Sequence, residues 1–217
     1  MKLVDFSKLL PADLQPGERV LWHGRPDWLG MARRAFRGDV VSAYFAAMAI
    51  WNFASAYADA GLAEGSLSAV KTIASGAVAL ALLGALAYAS SRTSLYVVTT
   101  QRVVAKVGIA LPVFFNFPYA QVASASVHRH GDGTADIPLT LAGDARVAYL
   151  QLWPHARPFH YRYPQPMLRA APDGMAVAET LARAMIAAAN ARGEAAQAPD
   201  RAAKPAYAYD AAAPAFG

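Results

Sequence analysis

Four groups of side chains in this chain of 217 residues are of types that do chemistry. His128 and His130 alternate, so a strand would carry both on one face, with Asp132 and Asp136 close by. Imidazole and carboxylate are zinc donors, yet spacing compels no third ligand, and polar residues at a strand end are the simpler reading. Trp153, His155 and Arg157 cluster around Pro154 and Pro158, with His160 beyond. An aromatic and an arginine on a proline-stiffened loop match the composition of a partner-binding hot spot. They equally suit a turn whose tryptophan plugs the core while the arginine stays in water. Asn52 is an amide inside a long apolar run and needs either a helix to bond or a nearby interface. Arg33, Arg34 and Arg37 crowd in front of that run, where they serve as topology and lipid-facing charges more simply than as a lipid-specific pocket.

Other chemistries lack their residues. With no cysteine there is no disulfide framework, thiolate metal site or cysteine nucleophile. No Gly-rich phosphate loop, serine nucleophile motif or recognisably spaced carboxylate pair occurs, so the chain is expected not to be an enzyme, and no metal site is assigned. The net charge of +5 raises nucleic acid as a partner. The arginines flank an apolar segment, however, where each adds about 1 kcal/mol of attraction to anionic lipid, so the expected partner is a bilayer and not nucleic acid.

The elements that must position these residues begin with two uncharged apolar runs, Val40 to Ala58 and Thr72 to Ser91. A helix of about 20 apolar residues crosses a bilayer core, so the pair is expected to form a transmembrane hairpin with a loop from Asp59 to Lys71. Gly76 and Gly84 lie eight apart, and Ala77, Ala81 and Ala85 repeat every four. With Asn52 these small residues are the candidate helix-packing positions, for partner spans or for a second copy of the chain. Arg25, Arg33, Arg34 and Arg37 precede the runs and Arg92, Arg102 and Lys106 follow them, whereas the loop holds one lysine. The positive-inside rule places both termini in the cytoplasm.

Outside the hairpin the pattern is β-rich. Val20 to Trp22 reads as a strand too short to fold alone, which must pair with something later. LYVVT and RVVAKVG read as a hairpin. Further strands are expected at Val113 to Phe117, Val122 to His128, Ile137 to Leu141, Val147 to Trp153 and Phe159 to Tyr163. Asp173 is the expected N-cap of a helix over 173–190 with Val177, Leu181, Ala184, Met185 and Ala188 at helical spacing. The alanine- and proline-rich residues 191–217 are expected to be disordered. The organisation is therefore an N-terminal segment over 1–17, a soluble domain split into 18–38 and 92–190, and the hairpin over 39–91. The fold class is α+β: a transmembrane hairpin inserted in an antiparallel sheet or barrel that the last helix caps.

GERVLWHGRPDW, the interrupting hairpin and TSLYVVTTQRVVAKVG resemble the bacterial pleckstrin-homology (PH) pattern. DGTADIPLTL, YLQLWPHARPFHYRYPQPMLRAAPD and the closing helix are, further, similar to the PuhB family of photosynthetic complex assembly proteins from purple phototrophic bacteria; the likeness covers about 18–189, and LWPHARP is its most specific part. The resemblance implies a multi-pass protein of the bacterial inner, intracytoplasmic membrane. It would assist assembly of the reaction centre and core light-harvesting complex, with their subunits or fellow assembly factors as partners. Bacteriochlorophyll usually takes a membrane histidine; neither run contains one, and no cofactor is assigned. The alternative is a general bacterial PH-domain membrane protein that binds lipid headgroups or acts in envelope stress.

Overall fold

The structure, a computed structural model, describes residues 14–109, 111–142 and 147–197. Strand β1 (Val20–Gly24) is followed by a short helix α1 (Trp28–Gly30) running into a π-helical turn, Met31–Ala35. Two long helices, α2 (Gly38–Ala60) and α3 (Leu62–Thr93), then form an antiparallel pair. Both are long and apolar enough to cross a membrane. Their connection is tighter than the expected thirteen-residue loop: α3 starts at Leu62, and Gly61 alone, at φ 82°, turns the chain. Glycine adopts that left-handed backbone without steric cost.

The helices meet along a seam separate from the alanine row expected to pack on partner spans or a second copy. Facing α2 are Gly65, Thr72 and Gly76, and the same stripe continues through Leu83 and Ala87, with successive spacings of seven, four, seven and four. That is the 3.5-residue repeat of a left-handed helix pair. Gly76 is packed so closely that a Cβ there would stand 2.7 Å from Cγ of Phe45. Asn52 Nδ2 donates to Thr72 Oγ1 at 2.8 Å, so its amide is satisfied inside the pair. Ala77, Ala81 and Ala85 are exposed on the opposite side, and a Cβ on Gly84 would meet nothing within 4 Å. Gly76→Leu is therefore expected to lower the thermal midpoint of the detergent-solubilised protein, at an overpacking cost of about 1–3 kcal/mol. Gly84→Leu should leave it unchanged. Equal effects of the two substitutions would show that the seam is misplaced.

After the helices, β2 (Leu95–Thr99), β3 (Arg102–Val107) and β4 (Val113–Pro118) complete an antiparallel sheet in the order β1-β2-β3-β4. The early strand thus finds its partner across the whole hairpin, Val20 opposite Thr99 and Gly24 opposite Tyr96. A second sheet contains β5 (Val122–Ala125), β6 (His128–Arg129) and β7 (Ala135–Leu141), with β8 (Met167–Ala171) also paired to β7. Among the described residues the two sheets do not close into a barrel.

Alternation along β2 and β3 decides which side chains reach the core. Tyr96, Val98, Val103 and Ala105 point into it, with Ile137, Leu139 and Leu168 of the second sheet and Val177, Leu181 and Ala184 of the last helix. Leu95, Val97 and Val104 point the other way, onto Leu14 and Val20. That helix, α5 (Gly174–Gln197), starts one residue after the expected cap and runs beyond position 190, so 191–197 are helical and not part of a disordered tail. Residues 198–217 and most of the N-terminal segment lie outside the described residues.

Two expected strands are absent. Val147 to Trp153 holds a short helix, α4 (Tyr149–Leu152), and Phe159 to Tyr163 is irregular. Pro154, Pro158 and Pro164 bracket these stretches and withhold the backbone donors a central ladder needs.

Candidate functional site

The foot of the helical pair is stitched to the second sheet by side chains from four parts of the chain. Met31, Phe36, Ala87 and Ala170 form a small buried cluster there. Around it, Ser91 Oγ donates to the Pro26 carbonyl at 2.6 Å, and the Asp27 amide donates to the Ala170 carbonyl at 2.8 Å. Ala170 takes a left-handed φ of 46° where β8 is bulged against β7. The bulge breaks the ladder and turns the Ala170 carbonyl to the incoming α1.

Arg34 crosses this junction. Its Nη1 lies 2.9 Å from Asp132 Oδ2 and its Nη2 donates to Thr134 Oγ1 at 2.7 Å, so it is tied into the soluble domain, whereas Arg33 and Arg37 are exposed. Gly30 makes room for it: a Cβ there would lie 2.1 Å from Arg34 Nη2. The Asp132 carboxyl is held down at about 2, chiefly by the Thr134 hydroxyl and with help from the Thr134 amide and Arg34.

The proline loop divides into a buried and an exposed part, which corrects the grouping of Trp153, His155 and Arg157 as one surface. His155 is 2% exposed. Its Nδ1 pairs with the Tyr96 hydroxyl, and its Nε2 lies 2.9 Å from Ser94 Oγ. The Tyr96 oxygen accepts from the Arg169 amide at 3.1 Å, so its own proton goes to Nδ1, which leaves Nε2–H to donate to Ser94. Burial, reinforced by the Arg169 charge, pushes the imidazole down to about 3. Burial likewise raises the Tyr96 phenol far above its ordinary range. His155 is therefore a neutral core residue that ties the first sheet to the second.

Trp153 is half exposed, edge-on to Phe36 at a centroid distance of 5.4 Å. Arg157 is half buried, and its Nη1 donates to Gln165 Oε1 at 2.9 Å. The larger exposed surface belongs to residues expected in a strand: Phe159 at 80% and Tyr161 at 65%, the latter 4.8 Å from the Tyr149 ring. With Arg37, Trp153, Phe159 and Tyr161 line a cavity of about 180 Å³ beside the foot of the hairpin. An aromatic and arginine rim of this kind suits a protein hot spot or a headgroup layer. Its signal in the sequence was FHYRY between two prolines, alternately aromatic and basic with no aliphatic residue to bury.

Sequence reasoning also passed over Arg169, a lone charge in the otherwise apolar MLRAA and 4% exposed. Burial pushes its guanidinium down; Asp136 opposes that and Arg34 adds to it. His128 and His130 stack edge to face at 5.3 Å. Among the described residues no three histidine, cysteine or acidic side chains gather as a metal would require.

The bacterial PH-domain model matches residues 44–185. An uncharacterized 23.7 kDa protein in the puhA 5′ region of Rhodobacter capsulatus is 36% identical over 81% of this chain and 83% of its own length. A solved DUF1696-family protein with a pleckstrin-homology domain, from Shewanella loihica, aligns with 42% of this chain and 70% of its own at 16% identity; its TM-score of 0.29 is too low for an architectural comparison. The family match, which spans more than half of the chain, places it in the bacterial PH-domain family.

Proposed function

We propose that the protein is a non-catalytic, inner-membrane assembly factor for the photosynthetic reaction centre and its core light-harvesting complex. The observation that carries this reading is the relative encoded in the puhA 5′ region, at 36% identity over most of both chains. The similarity of LWPHARP and its surroundings to the PuhB family adds to it. In this reading α2 and α3 span the membrane. Their apolar windows are only 6% and 11% buried, and Ile50, Trp51, Val78 and Leu82 stand out from the pair. A soluble protein rarely leaves so continuous an apolar surface in water. Partner contacts are made by the outer faces of the spans and by the Trp153, Phe159 and Tyr161 rim, which hold a subunit or fellow factor transiently.

Affinity purification of the tagged full-length chain in mild detergent, during induction of phototrophic growth, tests the proposal. Reaction-centre or light-harvesting subunits should co-isolate, and a deletion strain should show reduced mature reaction-centre absorbance. Loss of a hot-spot aromatic costs about 2 kcal/mol, so Phe159→Ala should weaken partner recovery roughly thirtyfold while the protein accumulates normally. Normal absorbance in the deletion strain, with no subunit recovered, would overturn the reading. Orientation has its own test: an alkaline phosphatase domain inserted at Gly61 should be active and one fused after Gly108 inactive, and the reverse would refute cytoplasmic termini.

A further inference from the structure

A cavity of about 340 Å³ opens between the π-helical turn before α2 and the second sheet, and its walls include Arg34, His128, His130, Asp136, Arg157 and Arg169. Three buried side-chain nitrogens among the described residues have no hydrogen-bond partner: Arg34 Nε, His130 Nε2 and Arg169 Nε. All three belong to residues that line this cavity.

Arg169 is the decisive residue. It is 4% exposed, and its guanidinium makes one hydrogen bond, from Nη2 to the Ala156 carbonyl at 3.2 Å. Among the described residues no carboxylate lies within ion-pair distance of it. A guanidinium keeps its charge and offers five N–H donors, so burying it with one acceptor leaves most of its bonding capacity unmet. The nearby carboxylates make no hydrogen bond to it. Asp136 Oδ1 accepts from the Ala170 amide at 2.7 Å, and its Oδ2 faces His130 Nε2 at 3.2 Å, outside hydrogen-bond geometry. Asp132 is taken by Arg34 and Thr134. Arg34 is thus paired with Asp132, whereas Arg169 shares its wall with the Asp136 charge nearby but no carboxylate bonded to it, and Arg157 adds a third guanidinium at the half-buried margin.

We propose that this cavity is a binding site for a phosphate-bearing anion, held by Arg169 and Arg34 with Arg157 at the rim. A tetrahedral oxyanion supplies several acceptors at once and matches the guanidinium fork. Arg34 stands just before α2, so both a lipid phosphate at the membrane surface and a free phosphate compound have the required chemistry. The site is independent of the assembly role and survives or fails separately from it.

The test uses the full-length protein in non-ionic detergent. Inorganic phosphate is titrated against chloride at matched ionic strength, following the thermal midpoint, and native mass spectrometry follows retention of added phosphatidylglycerol against phosphatidylcholine. The wild-type chain should gain stability with phosphate or retain phosphatidylglycerol selectively. Arg169→Met should weaken that response about tenfold or more, as expected for losing a charged hydrogen-bond donor. Arg183→Gln, on the exposed face of α5, should not alter it. If Arg169→Met does not fold, Arg157→Gln carries the comparison, because among the described residues the Arg157 guanidinium bonds only Gln165. A response to phosphate without lipid selectivity identifies a free anion as ligand; selective retention of phosphatidylglycerol identifies the lipid. Neither response in the wild type, or equal responses in wild type and variants, overturns the site.

Discussion

Glu18→Ala is expected to cost the soluble domain about 3–5 kcal/mol, the usual penalty for breaking a buried ion pair from one side. The Glu18 side chain is 0% exposed and that of Arg102 is 11% exposed. Oε1 accepts from Arg102 Nε at 2.9 Å and Oε2 from Nη2 at 3.0 Å, a two-pronged pairing. The Thr99 hydroxyl donates to Oε1 at 2.7 Å and the Gln15 amide to Oε2 at 2.9 Å. One carboxylate thereby anchors the segment before β1 to the β2–β3 turn, across the 56 residues of the helical pair from Gly38 to Thr93. Burial alone would raise its pKa, but Arg102, the Gln15 amide and Thr99 together hold it below the ordinary value. A depressed folded pKa means the stabilisation is present above the ordinary carboxylate range and is lost as pH falls through it. Chemical denaturation of the solubilised chain provides the measurement. Adding Arg102→Met to Glu18→Ala should recover part of the loss, since the stranded cation is then removed. A loss under about 1 kcal/mol for Glu18→Ala would mean that the pair behaves as a surface salt bridge.

How far the sequence foretold this arrangement depended on the kind of signal. The late pairing of the first strand was legible because GERVLWHG is too short to stand alone and LYVVT and RVVAKVG are joined by a two-residue turn; β1 pairs with β2 accordingly. Glu18, in contrast, looks like any polar residue before a strand, and nothing local says that its partner is Arg102. The seam within the hairpin was legible only at Asn52 and Gly76, because alanine is so frequent that a row of it occurs on more than one face. The real contact alternates small and polar residues at heptad spacing, and Asn52 with Thr72 marks it better than any alanine does. Near the site, LWPHARP stood out as unusual but not as half buried. A histidine between two prolines carries the same letters whether it faces solvent or closes a core, and only the fold brings Ser94 and Tyr96 to His155. Arg169 was legible in principle, as one charge among the apolar residues of MLRAA. Its surroundings, from residues more than a hundred positions earlier to others nearby, were not.

His155→Ala is expected to destabilise the chain by about 3 kcal/mol or more, because it leaves the Tyr96 and Ser94 hydroxyls buried without their partner and opens a cavity beside them. Ser94 is 0% exposed and so is Tyr96, so water cannot readily take over. Trp153→Ala, two residues away and half exposed, should cost much less. The contrast separates a core role for His155 from a recognition role. Protonation supplies a second readout with a definite sign. The folded imidazole stays neutral down to about 3, whereas the unfolded one takes a proton near its ordinary value of 6.5. Within that window the unfolded chain binds the extra proton, so stability is full above the unfolded value and falls as pH drops toward the folded one. The slope for one proton is about 1.4 kcal/mol per pH unit. Between pH 7 and pH 5, above the range where Glu18 and Asp132 titrate, the wild-type chain should therefore lose about 2 kcal/mol more than His155→Gln, which keeps a polar side chain but cannot titrate. Denaturation curves at the two pH values measure the difference. Identical pH dependence in the two proteins would mean that His155 takes up its proton as readily folded as unfolded, and its place as a neutral link between the sheets would have to be given up.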